Sequence, residues 1–179
     1  MAGSGGARRH GQRHPARRRL APAKVQFPTP AEEERLLYFA YDAHMEPNRL
    51  RQIAPGAQFC FIAHLPEWRL HFPICNSGGG LPSVKPQSGN TVWGAVFNLE
   101  QADLAKLNAH QAKEGRVAKT TQAMDREGHR HQVTVHVCAS ANGEYPPERE
   151  YVQMMVAGGR HWHLPAGWVA SLEEHLADA

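Results

Sequence analysis

The chain has 179 residues, 41% of them hydrophobic and 21% charged, which suits one domain with its own core and leaves no room for two comfortable ones. No apolar run approaches the roughly 20 residues needed to cross a bilayer, so no membrane span is expected. The formal net charge of +3 is unevenly divided. Residues 1–31 hold seven basic residues and no acid, leaving 13 basic against 17 acidic residues in the rest, a net of −4.

Residues 1–31 are rich in Gly, Ala, Arg and Pro and offer nothing that packs a core, so they read as a disordered Arg-rich tail preceding a domain over 32–179. Clustered arginines neutralise phosphates, which makes nucleic acid or an anionic membrane surface conceivable partners of the tail. An organellar transit peptide shares its Arg-rich, acid-free composition but needs an amphipathic stripe that this segment lacks. No apolar segment follows the arginines, so a secretory signal is not expected. The plain alternative is a solvated extension.

Residues 35–41 predict a first strand, and Pro47 to Ile53 a short helix. Ala57–Leu65 and Trp68–Phe72 predict a strand pair broken near Pro66. Residues 73–90 contain the Gly/Pro/Ser stretch "NSGGGLPSVKPQSGN", read as loop or edge. Thr91–Leu99 is apolar on both faces for most of its length and predicts a central strand. Glu100–Lys113 carries an apolar stripe near helical spacing. Residues 117–124 and 131–138 predict two strands joined by the polar turn "DREGHR". A helix should then start after Pro147 and stop at Gly158-Gly159, with a last one following Leu164-Pro165. Strands dominate without a strict β-α-β rhythm, so the class is α+β, a small closed sheet with helices around it.

Cys60, Cys75 and Cys138 are odd in number and contain no C-x-x-C pair. They read as small buried hydrophobes in a reducing cytoplasm, with no disulfide framework and no zinc site. His129-x-His131 and His161-x-His163 could each aim two rings at one ion, but no supporting acid is evident in the sequence and no metal is expected. The glycines at Ser77–Gly80 lack the Lys-Ser/Thr and following helix of a phosphate loop. The segment of most interest is Tyr41-Asp42-Ala43-His44, an acid and an imidazole in a strand-to-helix loop, where a rigid scaffold commonly presents chemistry.

Taken together, four segments resemble the γ-glutamyl cyclotransferase, AIG2-like family between about residues 36 and 173. "YFAYDAHM" resembles the family's opening "YFAYGSNM", and "GGLPSVKPQSGNTVWGAVF" its Gly-Gly entry and V-W-G strand. "LEQADLAKLNAHQ" is similar to the helix that ends L-D-x-x-E-G, and "PPEREYVQMMVAGGRHWHLPAGWVASL" to the closing segment. The resemblance implies a small mixed β-barrel flanked by helices, with a pocket for a γ-glutamyl group. It also implies a reaction in which the substrate's own α-amine attacks its γ-carbonyl and leaves 5-oxoproline. No cofactor is required, because the nucleophile is intramolecular. The loop after the first strand would grip substrate through backbone N–H groups, and a carboxylate on the helix would shuttle the proton.

On this resemblance Tyr41 matches the loop tyrosine, while Gly-Ser-Asn becomes Asp42-Ala43-His44. Gly94, Leu107, Tyr151, Gly158 and Pro165 also match, while the helix aspartate becomes Asn108 and the catalytic glutamate falls on Gln111. Gln111 cannot accept a proton, and Asp42 adds negative charge and removes a glycine's φ > 0 option where a substrate carboxylate would be gripped. Three accounts stay open. Glu114, one turn on, replaces the glutamate; or His44 acts as base with Asp42 orienting it; or the fold survives as a binding module for a small polar ligand in the barrel pocket, lined by Asp42, His44 and Gln111. The plain structural readings are a helix cap or Asx-turn for Asp42 and a solvent-facing helix position for Gln111.

Overall fold

A computed structural model describes Gly3 and residues 36–73 and 80–177. The Arg-rich tail, apart from Gly3, and most of the Ser77–Gly80 stretch lie outside the described residues. Five strands, β1 (Leu36–Ala40), β2 (Gln58–His71), β3 (Ser83–Leu99), β4 (Arg116–Asp125) and β5 (Arg130–Cys138), close into a barrel in the order β1-β3-β2-β4-β5. All neighbouring pairs are antiparallel except β1 with β5, which is parallel and closes the ring. Four helices surround it: α1 (Pro47–Ile53), α2 (Gln101–Lys113), α3 (Arg149–His161) and α4 (Ala166–Ala177). The expected α+β barrel flanked by helices is therefore present. Among the described residues, no helix is long and apolar enough to cross a membrane.

Alternation along the strands divides the core in two. Phe39 and Tyr41 from the first strand and its end, Ala63 and Leu65 from β2, Val92 and Val96 from β3, Ala123 from β4, and Val133 and Val135 from β5 pack together inside the barrel. The opposite set, including Tyr38 and Ala40 of β1 and Phe97 and Leu99 of β3, packs against Leu104 and Leu107 of α2 and Val152, Met155 and Val156 of α3. A small barrel of this kind is filled by its own side chains. The helices can only cover its outside.

Of the loop-or-edge reading of residues 73–90, residues 83–90 take the edge alternative: β3 begins at Ser83 and pairs with β2 as far as His71↔Ser83. Among the described residues its outer half has only β2 beside it, so Pro86, which has no N–H to donate, faces an edge and is tolerated. Two other expectations about local structure need correction. The break near Pro66 is a bulge within a single strand, with a register shift between Pro66 and Trp68 and Glu67 at φ 63°. The helix α3 does not stop at Gly158-Gly159 but runs to His161, with Trp162 as its C-cap. Gly158 is there for close approach: a Cβ would lie 2.5 Å from Met45 Cβ and 2.6 Å from Met45 C. The cysteine reading also changes. Cys60 is free but exposed, and Cys138 is disulfide-bonded.

Candidate functional site

Chain direction explains how the site is assembled. At the end of β1 the strand stops pairing, and Asp42 caps a single 3-10 turn, Ala43–Met45, whose backbone it satisfies by accepting from His44 N–H at 2.9 Å. Asp42 sits at φ −109°, extended backbone that needs no glycine, so the lost φ > 0 option carries no weight here. Trp162 fixes the far side of the turn through its indole N–H to the Met45 carbonyl, 2.7 Å. On the opposite side, α2 ends at Gln111–Lys113, Gly115 takes φ +76°, and the chain re-enters the barrel at Arg116. Gly115 in the left-handed region is what turns the helix end sharply enough to bring Gln111 and Arg116 side by side.

Four polar side chains meet there, all essentially removed from solvent: Asp42 and Arg116 are 1% exposed, His44 and Gln111 0%. Asp42 Oδ1 lies 2.9 Å from His44 Nδ1, and Arg116 Nη1 donates to Asp42 Oδ2. Arg116 Nη1 also reaches Gln111 Oε1 at 3.3 Å, and Gln111 Nε2 stands 3.3 Å from His44 Nδ1. The two contacts to Nδ1 compete, since a ring nitrogen that donates to Asp42 cannot also accept from the amide. The shorter, charge-assisted contact to Asp42 decides it. His44 therefore carries a proton on Nδ1, and its Nε2 is buried without a hydrogen-bond partner among the described residues.

The electrostatics are self-contained. Burial pushes the Asp42 carboxyl up, but His44 and the Arg116 guanidinium together hold it well below the usual carboxylate range. Burial works against charge on Arg116 as well, and Tyr41, Asp42, Tyr151 and Glu114 keep it more firmly protonated than usual. Asp42 thus adds no uncompensated negative charge to the loop, which corrects the repulsion expected from sequence. With both carboxylate oxygens committed, it is not free to ligate a metal ion either.

Other expected residues fall around this cluster. Tyr41 belongs to the barrel interior, where its hydroxyl donates to the His136 carbonyl at 2.6 Å, and Ala43 is buried in the turn. Glu114, the C-cap of α2, is a rim residue: its carboxylate lies 3.8 Å from Arg116 Nε, accepts from Tyr151 O–H at 3.4 Å, and is 4.0 Å from both Arg49 and His110. Arg49 sits over the Tyr151 ring, 5.5 Å from its centroid. Gln111 is buried rather than solvent-facing, and the cap reading of Asp42 is correct. Sequence reasoning missed Arg116 and the pairing of Asn108 with His136 (Oδ1 to Nε2, 2.8 Å). An arginine opening a polar strand carries no local mark of burial. Only its contact with Asp42, 74 residues away, reveals its role.

Comparison with known proteins places this arrangement. The family model described as "Gamma-glutamyl cyclotransferase, AIG2-like" matches residues 38–159. The chain belongs to that family. It is 26% identical over 154 residues to the human protein named gamma-glutamylcyclotransferase, and 25% identical over 151 residues to the mouse one. These alignments cover 81% and 79% of both partners respectively. Among solved structures, one titled gamma-glutamyl cyclotransferase aligns with a TM-score of 0.73 at 23% identity, over 78% of this chain and 87% of its own. YkqA from Bacillus subtilis aligns with a TM-score of 0.69 at 16% identity, over 80% of this chain and 54% of that one. At such identities the structural likeness speaks for the fold. The activity has to be argued from the site.

Proposed function

We propose that this protein is a non-catalytic member of the γ-glutamyl cyclotransferase family that binds a small amino-acid-like or γ-glutamyl ligand. One observation carries the reading: the position where the family resemblance implies a catalytic glutamate holds Gln111, fully buried and bonded to Arg116. An amide there cannot take the proton that ring closure must shed. The neighbouring carboxylate, Asp42, is tied to a guanidinium and an imidazole and is a poor base for the same reason that it is a good ion-pair partner. What the rim retains is binding chemistry. Arg49 suits a carboxylate and Glu114 an ammonium, and both lie beside Tyr151 with side chains partly exposed. A cytoplasmic location belongs to this proposal on the strength of the free, exposed Cys60; the bonded Cys138 is the observation that speaks against it.

A second reading has its own support. The Asp42–His44 pair, with Nδ1–H on the carboxylate, has the arrangement of an imidazole oriented by an acid, and Glu114 stands one helical turn from Gln111. The burial of Nε2 argues against it, because a base must reach the proton it removes. The deciding experiment is release of 5-oxoproline from a panel of γ-glutamyl amino acids and amines, followed by mass spectrometry, alongside calorimetric binding of the same compounds. Binding without turnover is the expected result. Turnover by the native protein overturns the proposal, and its loss in Glu114→Gln or in His44→Gln would then identify the base. Gln111→Glu alone should restore little, since its carboxylate would be drawn to Arg116 at the 3.3 Å contact that Gln111 now occupies.

A further inference from the structure

The turn between β4 and β5 lies outside the cluster just described and brings together residues that the sequence left unconnected. His129-x-His131 has the spacing of a metal-ligating pair, and its missing element was an acid. The fold supplies Asp125 at the end of β4. Its Oδ1 accepts from the backbone N–H groups of Glu127 and His129 at 3.0 and 2.8 Å, which fixes the carboxylate plane and leaves Oδ2 turned toward the histidines. Oδ2 lies 2.7 Å from His131 Nε2 and 3.3 Å from His129 Nδ1. Asp125, Glu127 and His129 each offer a ligand atom within 4.8 Å of the others.

We infer that this turn is a binding site for a borderline divalent cation of the zinc type, with His129 Nδ1, His131 Nε2 and Asp125 Oδ2 as ligands and Glu127 closing the fourth position. In a tetrahedral site with metal–ligand bonds of about 2.0–2.1 Å, ligand atoms stand roughly 3.3–3.4 Å apart. The Asp125–His129 contact already has that spacing at 3.3 Å, and the Asp125–His131 contact, at 2.7 Å, needs to open by roughly 0.6–0.7 Å to admit an ion. Two ligands are held in place. Asp125 is locked by the turn's own N–H groups, and the His131 ring rests against Phe61, 4.4 Å between centroids. The other two, Glu127 and His129, are exposed and free to move onto the ion. Two imidazoles and two carboxylates suit zinc, cobalt or nickel and disfavour magnesium and calcium, which take oxygen ligands. Ligation through Nε2 requires the His131 ring to carry its proton on Nδ1.

The test uses the full chain freed of metal with chelator. Zinc chloride is titrated by calorimetry, and cobalt(II) is added separately for the visible absorption bands of a four-coordinate site. The chain has twelve histidines, so the variants decide the location. His129→Ala and Glu127→Gln alter exposed side chains and leave the Asp125–His131 contact in place, so the fold is preserved. The expected result is one saturable zinc per turn, a weakening of at least about tenfold in His129→Ala, loss of the cobalt bands, and no competition by magnesium. Absence of saturable binding overturns the inference, as does binding of equal strength in the native protein and the His129→Ala/Glu127→Gln double variant.

Discussion

Asp42→Asn is the most informative single change to this protein. The substitution keeps the shape of the cap and its bond to the His44 N–H but removes the negative charge facing Arg116, a buried guanidinium. Removing one partner of a buried ion pair typically costs about 3–5 kcal/mol, because the surviving charge stays desolvated without compensation. Glu114 recovers little of this, being 3.8 Å away and partly exposed to solvent. Measured by urea denaturation with an m-value of about 2 kcal/mol/M, the midpoint should fall by roughly 1.5–2.5 M. Adding Arg116→Met removes the orphaned charge, so the double variant should be more stable than Asp42→Asn alone. Acid titration provides a second reading. The folded-state pKa of Asp42 lies below its unfolded value of about 3.9, so its contribution is complete above that value and is lost as pH falls toward the folded pKa. The native protein should show this loss below about pH 4, and Asp42→Asn should lack it. A single variant within about 1 kcal/mol of native, or a double variant whose cost equals the sum of the two singles, would refute the picture of a coupled buried pair.

Two further predictions concern the scaffold. Burial lowers the His136 pKa to about 4, so below its unfolded value of about 6.5 the unfolded chain takes up a proton that the folded one refuses. Stability should drop by on the order of 3 kcal/mol between pH 6.5 and 4 on this account. Asn108→Asp puts a carboxylate at the 2.8 Å contact, raises the His136 pKa and should shrink that drop in pH-dependent melting. Gly158→Ala forces a Cβ into the backbone of Met45 and Glu46 and should cost about 1–3 kcal/mol, whereas Gly167→Ala on α4, with open space around it, should be neutral or stabilise by up to about 1 kcal/mol. Equal melting temperatures for the two variants would contradict the close packing of α3 on the capped turn.

The sequence by itself determined the fold class, most element positions and the family. These rest on periodicity, turn residues and the order of four motifs, all of which are local or additive along the chain. It also singled out Asp42, His44 and Gln111, and tertiary structure brings those three together. Where it failed, the deciding interaction was distant. Residues 83–90 read as loop or edge because Pro86 and Gly89 oppose a central strand, and only the ladder supplied by β2 decides for the edge strand. Gly158-Gly159 looks like a helix stop until Met45 is seen pressed against the first of them. Asp42 looked like an unpaired charge until Arg116 arrived from a strand 74 residues on. The exception is local: His129-x-His131 lacked an acid until the β4–β5 turn folded Asp125, four and six residues away, back onto it. Charge compensation and close approach depend on position in space, and the closed barrel sets these positions by joining chain segments that the sequence keeps far apart.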